Sequence, residues 1–462
     1  MSATAQQQHG SDPMMTLMVH KRQTNAAVGG LMAVLSYGFY FMWGIYILYI
    51  PNEYTGITSA GQLMNANLGF FIGFIVGCIF GYLLVRKFRK MFIYGVANVL
   101  IVISGALFIP QWETIVVPIV ARYIGGLGQG ITFIPLLVHT SEVATKNLRG
   151  AVVAVTSCMV ATSLFVASWF LSVFSLVDSP NFMDQIIGGM IVLYGLMGLA
   201  FLKCFTFESP VFLIKNNQEQ DAFNTLKRLR LETQDSYEVH QDFQDLKDLI
   251  NDEKCLERVR FSDKGLRSFC RILLLRILYV FSISMLLLRC QLAFSLEMST
   301  EYGFGILMTG RFIAEMLAMY LIEKRGRRKI LLVSSTICGL LLVLSGITAF
   351  SGTSFEHSLI ALAVFSVIYQ TVLGFGLSPV SFVYLSELFS LKRKAASIMA
   401  IMIIENLFQI MFVLIGEYVS VHIPSFLFIT GVIQIGGGVY LYKTLPETKG
   451  LSLRECLHAV ES

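Results

Sequence analysis

Residues 61–90 read GQLMNANLGFFIGFIVGCIFGYLLVRKFRK. The stretch from Gly61 to Val85 holds no charged residue, and Arg86-Lys87-Phe88-Arg89-Lys90 follows at once. Helix at 1.5 Å per residue needs about 20 apolar residues to cross roughly 30 Å of hydrocarbon. The first part therefore predicts a membrane-spanning helix. The second predicts a connection held on the cytosolic side, where Lys and Arg stay during insertion.

The same phrase recurs along the chain. Apolar stretches of spanning length predict twelve spans, at 27–50, 61–85, 91–109, 115–139, 151–174, 183–204, 269–293, 302–322, 329–350, 357–384, 395–417 and 422–443. Alternate connections are basic: Arg86–Lys90, Lys146 with Arg149, Lys324–Lys329, and Lys392-Arg393-Lys394. The connections Pro51–Ala60, Ser175–Phe182 and Ser351–Glu356 hold no Lys or Arg. An even number of spans then places both termini in the cytosol. Composition agrees: 55% of the 462 residues are hydrophobic and 14% charged, where a soluble chain carries about a quarter. The mean hydropathy is +0.68.

Five segments follow: a cytosolic tail at 1–26, a six-span half at 27–204, a cytosolic linker at 205–268, a second half at 269–443 and a tail at 444–462. Within the linker Ala222, Phe223, Leu226 and Leu229 recur at helical spacing, and Asp242–Leu256 repeats the trend, which predicts short amphipathic helices. The halves share landmarks. Spans 2 and 8 both end in basic clusters. Ser141-Glu142 ends span 4 with Arg149 seven residues on, and Ser386-Glu387 ends span 10 with Lys394 seven residues on. A duplicated unit with a site between its copies suits alternating access.

Several chemistries are set aside. Met1–His20 is polar and lacks the apolar core of a signal peptide. Cys78, Cys158 and Cys338 fall inside spans. Cys204, Cys255, Cys270 and Cys456 fall on the reducing side, and Cys290 nears the outer face without an evident mate. No Cys or His spacing suggests a metal, no phosphate-binding loop suggests ATP, no basic face suggests nucleic acid, and His139 has no catalytic mates. No cofactor is implied. The expected partners are a small-molecule solute and membrane lipid; the oligomeric state is left open.

Five motifs in order, from about residue 81 to 450, resemble the sugar porter family of the major facilitator superfamily. Arg122-x-x-x-Gly126-x-Gly128-x-Gly130 with Glu142 and Arg149-Gly150 is similar to its fourth-span signature. Glu208-Ser209-Pro210, Glu323-Lys324-Arg325-Gly326-Arg327-Arg328, Gly376 and Pro379 with Ser386-Glu387, and Pro446-Glu447-Thr448-Lys449-Gly450 resemble its other landmarks. The resemblance implies an all-α, twelve-span, two-half carrier in the plasma membrane that moves a small polar solute. No enzyme activity is expected. It also implies a gate at the cytosolic helix ends, built from Glu142, Arg149, Glu208, Glu323, Arg327, Arg328, Glu387, Arg393, Lys394 and Glu447. Glu142 is expected to tie to Arg149, and Glu387 to Arg393 or Lys394.

The departures bear on the solute. Val85 stands where the family has an Asp, and Phe88 where it has a Gly. Tyr279–Leu286 lacks the seventh-span amides that hold sugar hydroxyls, Ser157 replaces a fifth-span Gln, Phe382 replaces a tenth-span Trp, and Gly38–Ile47 lacks the acid of proton-coupled members. In their place Arg289, Arg311, Glu315 and Glu405 lie inside spans, as does Arg122. Arg311 and Glu405 fall roughly 13–15 Å from a membrane face by helical rise. Each would cost on the order of 3 kcal/mol against lipid, so they are expected to face the cavity or each other. They could form a structural ion pair, bind a charged solute, or couple protons through Glu405, with Asn406 and Gln409 one turn on. Tyr37, Tyr40, Trp43 and Tyr46 form a stripe on span 1 that suits packing or a sugar ring. Uniport is the first expectation. A sensor or scaffold that has kept the fold and lost transport is the alternative, and a carrier of a charged or zwitterionic solute or a proton symporter is the next.

Overall fold

The computed structural model describes residues 21–48, 59–110, 112, 114–174, 180–231, 237–255, 263–297, 302–350, 355–416, 422–451 and 455–456. Most of the N-terminal tail and of the three connections without Lys or Arg lies outside these residues.

Among the described residues, twelve helices are long and apolar enough to span a membrane: Val28–Tyr46, Ala60–Val85, Lys90–Phe108, Val116–Val143, Arg149–Val173, Phe182–Phe205, Gly265–Ser295, Gly303–Arg325, Arg327–Phe350, Ser358–Glu387, Leu391–Leu414 and Ile423–Thr444. They are spans 1–12 below. The four basic connections define what we call the basic face. Several helices run past the apolar limits read from sequence. Span 4 continues to Val143 because Thr140 and Ser141 bond back to the carbonyls of Leu136 and Val138, hiding their hydroxyls in the helix. Span 11 starts at Leu391, so Lys392, Arg393 and Lys394 form its first turn instead of a loop. Charged helix ends, not loops, meet at the basic face.

Glycines set the tightest packing. A methyl group on Gly73 or Gly77 of span 2 would strike the carbonyls of Tyr123 or Leu127, and one on Gly126 or Gly130 of span 4 those of Phe70 or Phe74. The two backbones touch, as small-residue stripes permit. The internal repeat shows in the same way. Gly105 and Gly188 meet carbonyl to Cα between spans 3 and 6, and Gly339 and Gly431 do so between spans 9 and 12. The halves meet along spans 2 and 11 and along spans 5 and 8.

Between the halves lie three linker helices: α1 (Pro210–Lys215), α2 (Glu219–Arg230) and α3 (Tyr237–Cys255). Ser209 caps α1 through its hydroxyl. α2 buries Ala222, Leu226 and Leu229 and carries its charges outward. Val211, Leu213 and Ile214 of α1 pack with Ala222, Leu249, Ile250 and Leu391, joining the linker to the start of span 11.

Among the described residues, three spans are broken. Span 1 breaks between Val34 and Tyr37, span 7 between Ser282 and Met285, and span 10 at Gly376. At Gly376 a side chain would collide with Ser334 of span 9. Breaks expose backbone groups that need partners, which in a membrane places them beside protein or a cavity.

Candidate functional site

A cavity of about 30 Å³ lies between the halves next to the break in span 7. The first half supplies Tyr37, Phe74, Phe133 and Val160 to its wall. The second supplies, among others, Arg276, Tyr279, Phe382, Glu405, Asn406 and Gln409. This volume holds a water molecule or two and no sugar ring.

The charges in the wall come as a pair. Arg276 of span 7 donates through Nε and Nη2 to the two carboxylate oxygens of Glu405 on span 11, with Nη2 2.9 Å from Oε2. Nη1 donates to Ser381 at 2.9 Å. The guanidinium lies 4.6 Å from the ring centre of Tyr279 and 4.3 Å from that of Phe382. Fork-to-fork bonding and aromatic faces both suit Arg better than Lys. Both side chains are buried. Gln409 repairs the break in span 7: its Oε1 accepts from Met285 N at 3.2 Å and its Nε2 donates to Ile283 O at 3.4 Å. Asn406 donates to Met402 O one turn back.

Arg311 does not reach Glu405. Its Nε donates to Glu315 one turn on, at 3.2 Å, and its Nη2 lies 3.4 Å from both Tyr279 Oη and Ser378 Oγ. Ser157 of span 5 donates to the same Glu315 at 2.6 Å and lies 2.9 Å from Ser378. This second network is fully buried and fastens spans 5, 8 and 10 together. Ser157, Arg311 and Glu315 thus hold the halves together beside the cavity, while Phe382, Glu405, Asn406 and Gln409 line it. Arg289 is half-buried near Gly416 and is not part of the wall.

Arg122 has no carboxylate partner among the described residues. Its Nη1 donates to Tyr40 O at 2.6 Å, and its guanidinium sits 4.9 Å from the Trp43 ring centre. Trp43 in turn donates to Asp184 at 2.7 Å. Tyr40 and Trp43 are buried in helix packing, and of the span 1 stripe only Tyr37 reaches the cavity.

The pairing expected at the basic face is corrected. Glu142 accepts from Lys90 at 2.7 Å and from Ser209 at 2.5 Å, not from Arg149. Arg149 instead donates to Leu451 O of the C-terminal tail at 3.1 Å. Glu387 accepts from Arg327 at 3.3 Å. Lys394 donates to Ser141 at 3.0 Å. Arg393 is half-buried near Gly265, and Glu208 accepts from its neighbour Ser209 N. The physical reason is helix length. Because spans 4 and 11 extend further, Arg149 and Lys394 project past their own carboxylates to the opposite half. Glu323 also crosses, accepting from Ala151 N at 3.0 Å. Glu447 caps the start of span 9, accepting from the amides of Arg327 and Arg328, beside Gly326 in the left-handed region at φ 84°. Arg328 donates to Tyr442 O. Glu142, Glu387 and Glu447 bond without crossing between halves, and among the described residues three bonds (Arg149–Leu451, Lys394–Ser141 and Glu323–Ala151) cross the basic face between halves.

Arg276 escaped the sequence reading. It stands eight residues into span 7 with Arg271 ahead of it, and so reads as flanking charge. The signal was its place one turn before Tyr279, in an otherwise apolar run.

Two repeated six-span halves around a largely apolar cavity with a buried ion pair in its wall, shut at one face by breakable bonds, define a membrane solute carrier. The chain belongs to the sugar (and other) transporter family, whose model matches residues 16–458. It is a multi-pass membrane transporter and not an enzyme. It is 26% identical over 435 residues to the probable metabolite transport protein CsbC of Bacillus subtilis, covering 88% of each chain. To the major myo-inositol transporter IolT of the same organism it is 21% identical over 427 residues, covering 87% of this chain and 85% of the other. Its fold is similar to that of the proton:xylose symporter XylE of the major facilitator superfamily, with a TM-score of 0.79 at 17% identity, covering 96% and 98% of the two chains.

Proposed function

We propose that the chain moves a neutral, hydroxyl-rich solute of the sugar or polyol class by uniport, in the cavity between its halves. The carrying observation is the Arg276–Glu405 pair. It puts strong donors and acceptors in the wall but no net charge, since each ion is neutralised by the other. Hydroxyls can bond to both the carboxylate edge and the remaining guanidinium N–H groups. Tyr37, Tyr279 and Phe382 offer flat apolar faces beside them. The inositol and xylose carriers among its relatives support this solute class. A net-charged solute would have to displace one partner of a buried pair.

Uniport rests on the same accounting. Glu405 and Glu315 are each matched by an Arg, and Arg122 bonds, among the described residues, to a carbonyl and not to an acid. No unpaired carboxylate lines the cavity among the described residues. Because the cavity is too small for a sugar, the halves must part to admit one, breaking the bonds at the basic face in turn. We read the basic face as cytosolic, with both termini on that side, and the membrane as the plasma membrane. The lipid-facing helices present exposed Ile, Leu, Val and Phe.

Purified protein in sealed vesicles tests this. Labelled glucose, xylose and myo-inositol should include at least one that enters saturably and equilibrates without accumulating under an imposed proton gradient. Uptake confined to organic anions or amino acids, or accumulation driven by the gradient, would refute it.

A further inference from the structure

A second cavity, of about 240 Å³, lies at the basic face, outside the path between the halves. Three parts of the chain form it. Arg89 comes from the connection between spans 2 and 3, Glu208 and Leu213 from the end of span 6 and α1, and Asp221, Asn224, Thr225 and Arg228 from one side of α2. Two guanidiniums and two carboxylates share this space without pairing. No ion pair or side-chain hydrogen bond joins Arg89, Asp221, Asn224 or Arg228 to any described residue. Oε2 of Glu208 is buried and has no partner among the described residues. Arg89, Asp221, Asn224 and Arg228 are exposed and Glu208 and Thr225 half-buried, so the cleft opens to solvent and presents both signs of charge around one space.

The donor set sorts by chemistry. Arg89 and Arg228 suit a phosphate, which guanidiniums bind in planar, two-point fashion. Asp221, Glu208, Asn224 and Thr225 suit hydroxyls, which donate to carboxylates and exchange bonds with amides and alcohols. Arg86 and Lys87 are exposed just before Arg89 and add positive charge on that side of the cleft. The volume falls just below the ~300–1,000 Å³ of drug-sized sites.

We propose that this cleft is a binding site for a polyhydroxylated phosphate monoester, a sugar or polyol phosphate, distinct from the transport cavity. It goes beyond the transport reading and does not depend on it. The same chemistry could come from a soluble sugar phosphate or from the headgroup of an inositol phospholipid.

The test uses the full-length protein in detergent, with glucose 6-phosphate, glucose and inorganic phosphate as separate probes read by thermal shift and calorimetry. Glucose 6-phosphate should bind saturably, at least fivefold tighter than inorganic phosphate, with glucose not binding at the cleft. Arg89→Gln and Arg228→Gln, both on exposed side chains, should each weaken it at least fivefold, and Asp221→Asn should weaken it without changing inorganic phosphate binding. In a second arm, vesicles with and without phosphatidylinositol 4-phosphate replace the soluble probes. Arg-dependent binding in either arm supports the site, and the arm that gives it identifies the source. Binding of glucose equal to that of its phosphate, tighter binding of a zwitterion such as glycerophosphoethanolamine, or binding in neither arm overturns it. So does binding unchanged in both Arg variants.

Discussion

Arg276 and Glu405 face each other across spans 7 and 11 as a buried two-point ion pair, clasped between the rings of Tyr279 and Phe382. Removing one partner leaves the other charge buried and alone, which costs about 3–5 kcal/mol, whereas replacing both by apolar groups of similar volume is often neutral. Arg276→Met and Glu405→Gln should each lower the thermal midpoint of the purified protein and abolish uptake. Arg276→Met combined with Glu405→Met should recover most of the midpoint and none of the uptake. If the double variant transports, the pair is scaffolding and the solute binds elsewhere.

The three bonds between halves at the basic face set the balance between shut and open carrier. A hydrogen bond to a charged group contributes about 1.5–3 kcal/mol, and 1.4 kcal/mol is a tenfold change in an equilibrium. Arg149→Gln removes the bond to Leu451 O, and Glu323→Gln weakens that to Ala151 N. Each should shift the carrier toward opening at this face by roughly ten- to a hundredfold. Protease or thiol access from the basic side measures it. An unshifted Arg149→Gln would mean that Arg149 serves only to anchor the tail.

Glycine positions offer a control within one fold. Gly126→Ala forces a methyl group into Phe70 O of span 2, and neither backbone can yield without parting the helices. That variant should fail to fold or lose several kcal/mol, in the range of overpacked cores or beyond. Gly436 on span 12 has open space around the same position. Gly436→Ala should be neutral or stabilise by up to about 1 kcal/mol, the usual helix preference for Ala. Thermal unfolding in detergent separates the two.

Much of this architecture could be read from residues 61–90 and their echoes, because hydrocarbon thickness and the retention of Lys and Arg impose a coarse, periodic signal. The glycines of span 4 were legible as packing for a similar reason: contact between backbones admits few residue types. The site was less legible. Glu405, Asn406, Gln409 and Phe382 stood out as polar or replaced residues and do line the cavity, yet their partners could not be assigned. Arg311 and Glu405 lie at similar depth by counting residues, but depth says nothing of azimuth. The choice between Arg276 and Arg311 depends on the break in span 7 and on how spans 8 and 11 are turned. The pairing at the basic face was misread for a related reason. Extending span 4 by one turn carries Arg149 out of reach of Glu142, and the hydroxyl bonds that allow this extension leave no mark in a hydropathy pattern.

Cys456 reports on the gate without any engineered label. It is buried in the C-terminal tail near Arg149, Arg327, Lys394 and Glu387, and burial, aided by the Glu387 charge, pushes its thiol up to about 12. Only the thiolate alkylates. At pH 8 a thiol near 12 is almost wholly protonated, while one returned to the ordinary value of about 8.5 is roughly a quarter ionised. Opening the basic face should release the tail and raise the alkylation rate by about three orders of magnitude on ionisation alone. In a background where Cys204, Cys255 and Cys270 are Ser, iodoacetamide should label Cys456 slowly in the wild-type gate. Labelling should be much faster in Arg149→Gln, and the wild-type rate should climb with pH well past 9. Fast labelling of the unmodified gate at pH 8, equal in both backgrounds, would show that the tail does not seal this face.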